Sequence, residues 1–94
     1  MLVAIVCFCI SANAQFKSTQ KVCYDGATYE FYTDGSCKVY HPQRGEAYGT
    51  YRLESNNKEI FIEAPGEKYR GEIVWNGNNV TRITIQGTRW NRCS

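Results

Sequence analysis

Histidine is nearly absent from this chain of 94 residues, in which His41 is the single example. Nucleophilic catalysis by serine or cysteine and most zinc sites need a histidine, as the general base or as a ligand. Cys37 precedes it by four positions, and two residues at that separation lie about 13 Å apart along a strand, beyond hydrogen-bond range. The other cysteines are too scattered to form a ligand pair. We therefore expect no catalytic residues, no metal site and no cofactor, and we expect that the protein is not an enzyme.

Runs of like charge and long apolar runs are also missing. Eleven Lys and Arg are interleaved with nine Asp and Glu, which gives a formal net charge of +2. Nucleic-acid surfaces and polybasic membrane patches are built from clustered positive charge. The longest apolar run, residues 1–10, is shorter than the roughly 20 residues that a membrane-spanning helix needs. The composition therefore predicts no nucleic-acid partner and no stable membrane span.

The apolar run at residues 1–10 is followed by Ala12-Asn13-Ala14, which has the small residues of a signal-peptidase site. We interpret residues 1–14 as a signal peptide and residues 15–94 as one small β domain. Such a leader predicts an exported protein, periplasmic or extracellular, in a compartment where disulfides form. Removal of the leader would leave three cysteines in the mature chain, Cys23, Cys37 and Cys93.

Alternation of apolar and polar residues with a period of two recurs after residue 15, whereas no stretch of ten residues shows the 3.6-residue period of a helix. Seven Tyr, four Phe, two Trp and eight Gly are typical of short strands joined by tight turns. The pattern predicts an all-β domain of seven or eight strands, either a short antiparallel meander barrel or a strongly curled sheet. The predicted strands are 20–24, 28–33, 36–41, 47–53, 58–63, 69–75, 79–86 and 88–93.

Three predicted hairpins can be checked by their turns, because a slip of one residue in register exchanges the two faces of a strand. A three-residue loop with Gly35 in the left-handed conformation suits the first hairpin, a four-residue loop at 54–57 the second, and a three-residue loop at 76–78 the third. All three loops keep the apolar faces together, which favours an antiparallel meander. The predicted opposite pairs are Phe31 with Cys37, Tyr51 with Ile60 and Ile73 with Thr81.

Closure of the meander would make the first and last strands neighbours and bring Cys23 close to Cys93, with Cys37 two strands away. We therefore predict a Cys23–Cys93 disulfide and a free Cys37; the alternative is that all three are buried thiols. Strands of five to seven residues also predict an interior filled by side chains, without a cavity of lipocalin size.

An outward face of three consecutive strands carries the residues that we predict to bind a partner. They are Tyr48, Arg52, Phe61 and Arg70. Tyrosine and arginine are enriched in interface hot spots, and the predicted register places Thr50 opposite Phe61, which leaves this ring without a large apolar neighbour. We expect the partner to be another protein or a cell-surface component. The alternative is that a second layer of the fold buries this face.

Several short motifs resemble those of the periplasmic inhibitors of C-type lysozyme. They are Cys23-Tyr24-Asp25-Gly26, Gly66-Glu67-Lys68-Tyr69, Trp75-Asn76-Gly77 and the terminal Cys93. The resemblance implies a small antiparallel barrel with its first and last cysteines bridged. It also implies that a loop at 64–68 and a turn at 75–78, with Gly66, Lys68 and Asn76, enter the cleft of the target enzyme. The family has Ser before the first Gly and Lys before the later one, where this chain has Pro65 and Asn76.

A second set of motifs is similar to those of short lipocalin-like exported bacterial proteins. They are Phe31-x-x-Asp34-Gly35, Gly49-Thr50-Tyr51 and Trp90-x-Arg92. Taken together, the sequence predicts an exported, non-catalytic binding or interaction protein. The alternative is a periplasmic inhibitor or immunity protein directed against a cell-wall hydrolase such as lysozyme.

Overall fold

A computed structural model describes residues 14–93 as eight antiparallel strands that close into a barrel. The strands are β1 Gln20–Tyr24, β2 Ala27–Phe31, β3 Ser36–His41, β4 Gly45–Glu54, β5 Glu59–Ala64, β6 Glu67–Asn76, β7 Asn79–Ile85 and β8 Thr88–Arg92. Each strand pairs with the next, and β8 pairs with β1. The all-β fold that the alternation predicts is therefore confirmed, in its closed form. The predicted signal peptide lies outside the described residues except for Ala14.

Alternating burial along the strands explains the fold. In β2, Tyr29 and Phe31 are buried inside the barrel, while Glu30 between them is only partly covered. The same alternation places Ile60 and Ile62 of β5 inside, both fully buried. Burial of apolar area is the main favourable term in folding, so each strand fixes which of its faces turns inward.

The predicted register is right in the first hairpin and wrong in the other two. Phe31 lies opposite Cys37, as the loop ending at Gly35 predicts. Tyr51, however, lies opposite Ile62 rather than Ile60. The reason is the turn at residues 55–57, where Ser55, Asn56 and Asn57 all have positive φ, at 56°, 60° and 67°. These left-handed residues form the turn one position later than predicted, so Glu54 still belongs to its strand and faces Glu59.

The third hairpin has a two-residue turn and a β-bulge instead of the predicted three-residue loop. Asn76 pairs with Asn79, and the register then shifts between Val74 and Trp75. Thr81 is the extra residue of this bulge, and its hydroxyl donates a hydrogen bond to the Val74 carbonyl at 3.1 Å. Ile73 therefore lies opposite Ile83 rather than Thr81.

The seam between β1 and β8 is short, and side chains reinforce it. Only Val22–Arg92 and Cys23–Asn91 are paired there. The predicted Cys23–Cys93 disulfide crosses this seam, with the two Cα atoms 5.2 Å apart, and Cys37 is a free, buried thiol, as predicted.

A buried glutamine ties the same region to β7. The Gln20 side chain is 1% exposed, and its Oε1 accepts hydrogen bonds from the Val80 N–H at 2.9 Å and from the Arg92 guanidinium at 3.3 Å. Its amide donates to the Ser18 hydroxyl at 3.0 Å. A polar residue can occupy the interior at this point because both of its polar atoms have partners.

One end of the barrel, here called the closed end, is covered by the chain that precedes β1. Phe16 is 3% exposed, and its N–H donates a hydrogen bond to the Tyr51 hydroxyl at 3.0 Å. The Phe16 ring lies between 5.2 and 5.7 Å from the rings of Phe31, Tyr51 and Trp75. Residues 14 and 93 both lie at this end, since Ala14 pairs with Leu53 and the Cys93 N–H donates to Lys21.

Candidate functional site

The opposite end of the barrel, here called the open end, contains a cavity of about 750 Å³. Four turns surround its opening, at residues 25–26, 42–44, 65–66 and 86–87. A cavity of this volume is within the range that proteins use for small-molecule ligands. The expectation that side chains fill the whole interior is therefore wrong at this end.

The cavity exists because the inward positions near the open end are occupied by small residues. Ala27, Ala47 and Ala64 all line it, and so does Gly45. At the closed end, the inward positions carry Phe, Tyr, Leu, Ile and Trp side chains instead, and these fill the core. Eight strands give an interior that side chains can just fill, so a run of small residues leaves open volume.

One wall of the cavity is a cluster of aromatic rings. Trp90 is the centre of this cluster, with its ring 4.7 Å from that of Tyr29 in an edge-to-face arrangement and 5.7 Å from that of Tyr24. Tyr29 and Trp90 are almost completely buried, whereas Tyr24 is about half exposed at the rim. A ligand can therefore contact mainly the Tyr24 ring of this wall, together with the small accessible parts of Tyr29 and Trp90.

The facing wall carries polar groups from the start of β6. Glu67 and Tyr69 occupy inward positions two residues apart, and both line the cavity. The neighbouring Glu67 carboxylate raises the pKa of Tyr69, and burial raises it further. Burial raises the pKa of Tyr29, and the nearby Tyr69 and Glu67 raise it further. Both phenols therefore stay protonated and can donate hydrogen bonds at neutral pH.

The rim of the cavity is mainly polar. Asp25, Arg44 and Glu46 line it together with His41, which lies at the end of β3 opposite Gly45. Cys37 lies on the same strand but is buried, and burial raises the pKa of its thiol to about 11. A protonated, buried thiol is a poor nucleophile. Among residues 14–93, no group of three or more His, Cys, Asp or Glu could hold a metal ion.

Three of the four residues predicted to bind a partner lie together on the outer wall. Arg52 of β4, Phe61 of β5 and Arg70 of β6 are directly opposite one another across the three strands. The Arg52 guanidinium lies 4.3 Å from the centre of the Phe61 ring, and that of Arg70 lies 5.6 Å from it. Phe61 is therefore covered on the sheet itself, not by a second layer and not by Thr50, which pairs with Glu63 instead.

Arg52, Phe61 and Arg70 are here called the outer ladder. Its two arginines are also paired with carboxylates. Glu54 accepts a hydrogen bond from Arg52 at 2.9 Å and forms an ion pair with Arg70 at 3.3 Å, and Glu59 lies 4.0 Å from Arg70. These pairs relieve the repulsion between Glu54 and Glu59, which face each other across the strands. Both arginines and the Phe61 ring of the outer ladder therefore have partners on the sheet itself. A small groove of about 290 Å³ lies beside Arg52 and Phe61.

Tyr48 lies apart from the other three predicted residues. It is 62% exposed and faces Lys38 on β3, near the open end. Its hydroxyl is 3.4 Å from Glu46, which also pairs with Lys38 at 3.6 Å. Tyr48 and Arg52 share one face of β4 but are four residues apart, about 13 Å along the strand.

The loop residues that the lysozyme-inhibitor resemblance implies lie at opposite ends of the barrel. Gly66 is in the turn before β6, and Lys68, near the start of that strand, pairs with Glu63 at 3.8 Å. Asn76 is the last residue of the same ten-residue strand. At about 3.3 Å per residue, Gly66 and Asn76 are about 33 Å apart.

The alternation in the sequence did not reveal the cavity that Tyr29 and Trp90 line. The available signal was the set of small residues at inward positions near one end of the strands, above all Ala27, Ala47 and Ala64. Glu67 was a second signal, because it is a carboxylate at an inward position of β6. Neither signal is visible until the register and the direction of each strand are known.

The fold and the cavity define a small disulfide-closed, eight-stranded antiparallel barrel that is open at one end. No family model, curated protein or solved structure is significantly similar to this chain. Residues 14–93 include no helix with the length and apolar character that crossing a bilayer requires.

Proposed function

We propose that this protein is an exported, non-catalytic binding protein whose open-end cavity takes up a small amphipathic ligand. The observation that carries the proposal is the cavity of about 750 Å³ between four turns. The binding site is therefore proposed in the interior and not on the outer ladder that the sequence predicts. Arg52, Phe61 and Arg70 already have partners on the sheet.

The distribution of side chains supports an amphipathic ligand. The inner part of the cavity is aromatic, with Tyr29 and Trp90, and the rim carries Asp25 and Arg44. A ligand would bury its apolar part against the rings and leave its polar group near the rim, which is the usual arrangement in small-molecule sites.

The two tryptophans allow a direct test, because Trp90 lines the cavity and Trp75 packs at the closed end. The protein is expressed from the full chain with ¹⁵N label, the two indole N–H signals are assigned with Trp75→Phe, and 2-phenylethanol is added as a neutral amphipathic probe. We expect a saturable shift of the Trp90 signal and an unchanged Trp75 signal. An unchanged Trp90 signal, or equal shifts of both, would contradict the proposal.

A matched pair of variants separates the cavity from the outer surface. Ala47→Phe places a ring in the cavity and is expected to abolish the Trp90 shift. Val74→Phe adds a similar ring at a position that is 43% exposed, and it is expected to leave the shift intact. Equal effects of the two substitutions would assign the shift to a general perturbation of the barrel.

Inhibition of a cell-wall hydrolase is a second candidate function, supported by a closed barrel in which a disulfide joins Cys23 to Cys93. Gly66 and Asn76 lie at opposite ends of β6, so one enzyme cleft would contact only one of them. Binding to an immobilised C-type lysozyme tests this function. Saturable 1:1 inhibition that Lys68→Ala weakens would support it, and absence of binding would reject it.

A further inference from the structure

Glu67 is an exposed carboxylate at the mouth of the cavity. It is the first residue of β6 and occupies an inward position beside Tyr69. The other strand residues that point into the barrel near the open end are apolar, aromatic or uncharged, apart from the titratable His41. A carboxylate at such a position accepts hydrogen bonds and attracts a positive group.

Carboxylates outnumber cationic side chains around the opening. Asp25, Glu46 and Glu67 line the cavity, against Arg44 as the one guanidinium. Glu46 is paired with Lys38 on the outer wall at 3.6 Å, whereas Asp25, Arg44 and Glu67 take part in no ion pair within the described part of the chain. Arg44 offsets one of the two unpaired carboxylates, which leaves one negative charge in excess.

The aromatic wall adds a second attraction for a cation. Trp90, Tyr29 and Tyr24 form a connected cluster with ring centres 4.7 and 5.7 Å apart. The faces of such rings attract positive groups within about 6 Å, and tryptophan does so most strongly. An ammonium group in the cavity would therefore be attracted by the Glu67 carboxylate and by the most exposed of these rings, Tyr24, which is 49% exposed.

We infer that the open-end cavity selects small organic cations, an amine or quaternary ammonium group on an aromatic or aliphatic body, over neutral and anionic molecules of the same shape. This inference rests on the proposed function, because it names the ligand class of the same cavity. Glu67 is the residue that sets the preference, and Arg44 at the rim acts against it.

Three probes with the same ring measure this preference: 2-phenylethylammonium, 2-phenylethanol and 3-phenylpropionate. Dissociation constants are taken from the shift of the Trp90 indole signal, with Trp75 as the internal reference for folding. We expect the ammonium probe to bind at least about threefold more tightly than the alcohol, and the carboxylate to bind most weakly. The preference should shrink as salt is raised from low to physiological concentration.

The variant Glu67→Gln and its control on the same strand complete the test. Glu67→Gln is expected to reduce the preference for the ammonium over the alcohol to the share that the aromatic rings contribute, while Glu72→Gln, on the outer wall, keeps the full preference. Tightest binding by the carboxylate, or equal binding of ammonium and alcohol in the unaltered protein, would overturn the inference and leave the proposed function intact. Absence of any Trp90 shift with all three probes would reject both.

Discussion

Phe61 lies between two guanidinium groups on the outer wall, and its stability effect follows from that position. A surface phenylalanine in such contacts contributes more to the free energy of unfolding than a surface residue without contacts, and less than a core residue. We expect Phe61→Ala to lower the free energy of unfolding by about 1–2 kcal/mol in urea denaturation, because the contacts at 4.3 and 5.6 Å are lost.

Tyr48→Ala is the control for this substitution, since Tyr48 is also an outward aromatic residue but is 62% exposed. We expect it to change the free energy of unfolding by no more than about 0.5 kcal/mol. A loss of about 3 kcal/mol or more for Phe61→Ala would mean that another element covers this ring, as in a core position.

We expect Cys37 to make the free energy of unfolding depend on pH in the alkaline range. Burial raises the pKa of its thiol to about 11, so the native state holds the proton more tightly than the unfolded chain does. Its contribution is complete below the ordinary thiol pKa and is lost as pH rises through about 11. The urea midpoint should therefore fall between pH 9 and 11, and Cys37→Ala should reduce this fall.

Tyr29 accounts for part of the same alkaline loss, because its pKa is raised too and its ionisation also favours the unfolded chain. Some slope is therefore expected to remain in Cys37→Ala. An identical pH profile for Cys37→Ala and the unaltered protein would show that the thiol is not desolvated. Labelling of native Cys37 by maleimide as fast as in urea would show the same.

At the scale of single elements, the strands were predictable and two of the turns were not. Alternation fixes the inward face, so Tyr51 and Ile73 were correctly assigned to the interior although their partners were not. The error in both hairpins comes from features that shift pairing without exchanging faces. One is three successive left-handed residues at 55–57, and the other is the bulge at Thr81.

The segment before β1 is part of the core rather than a tail. Phe16 is 3% exposed and touches the aromatic rings of the closed end. We expect Phe16→Ala to lower the free energy of unfolding by about 3–4 kcal/mol, measured by urea denaturation, because it leaves a cavity among those rings.

Lys17→Ala serves as the matched control, since Lys17 is the next residue along and is exposed. It should change the free energy of unfolding by no more than about 0.5 kcal/mol. If Phe16→Ala lost less than about 1 kcal/mol, the segment would be detached from the closed end in solution.

For the whole molecule, closure depends on a seam with two residue pairs, one further backbone hydrogen bond and one disulfide. Cys23 and Cys93 are 70 residues apart, and in the chain-entropy model a bridge of that span stabilises by about 4 kcal/mol. Cys23→Ser with Cys93→Ser is expected to cost about that much in the free energy of unfolding. Hydrogen exchange should then be fastest in β1 and β8.

Cys37→Ala is the control, because it removes a thiol and keeps the bridge. It should cost about 1 kcal/mol and leave exchange in β1 and β8 slow. Uniformly faster exchange in the doubly substituted protein would mean that the seam is no weaker than the other strand pairs.

Closure was one of the two predicted forms, since an antiparallel meander with one apolar face buries that face by closing into a barrel or by curling strongly. The bridge followed from closure. The cavity was not predictable in the same way, because it depends on how Ala27, Ala47 and Ala64 from three strands gather at one end. That gathering is set by strand direction and length, and it is not visible in any one segment of the chain.

The placement of residues 14 and 93 at the closed end has a practical consequence for any assay of this protein. A tag, a surface linker or a fused reporter joined at either side of the domain would be directed away from the four turns that frame the cavity. The domain can thus be immobilised through a linker at residue 14 or residue 93, with every copy presenting the same opening to the solution. An array made in this way would report on ligand uptake without obstruction by its own support.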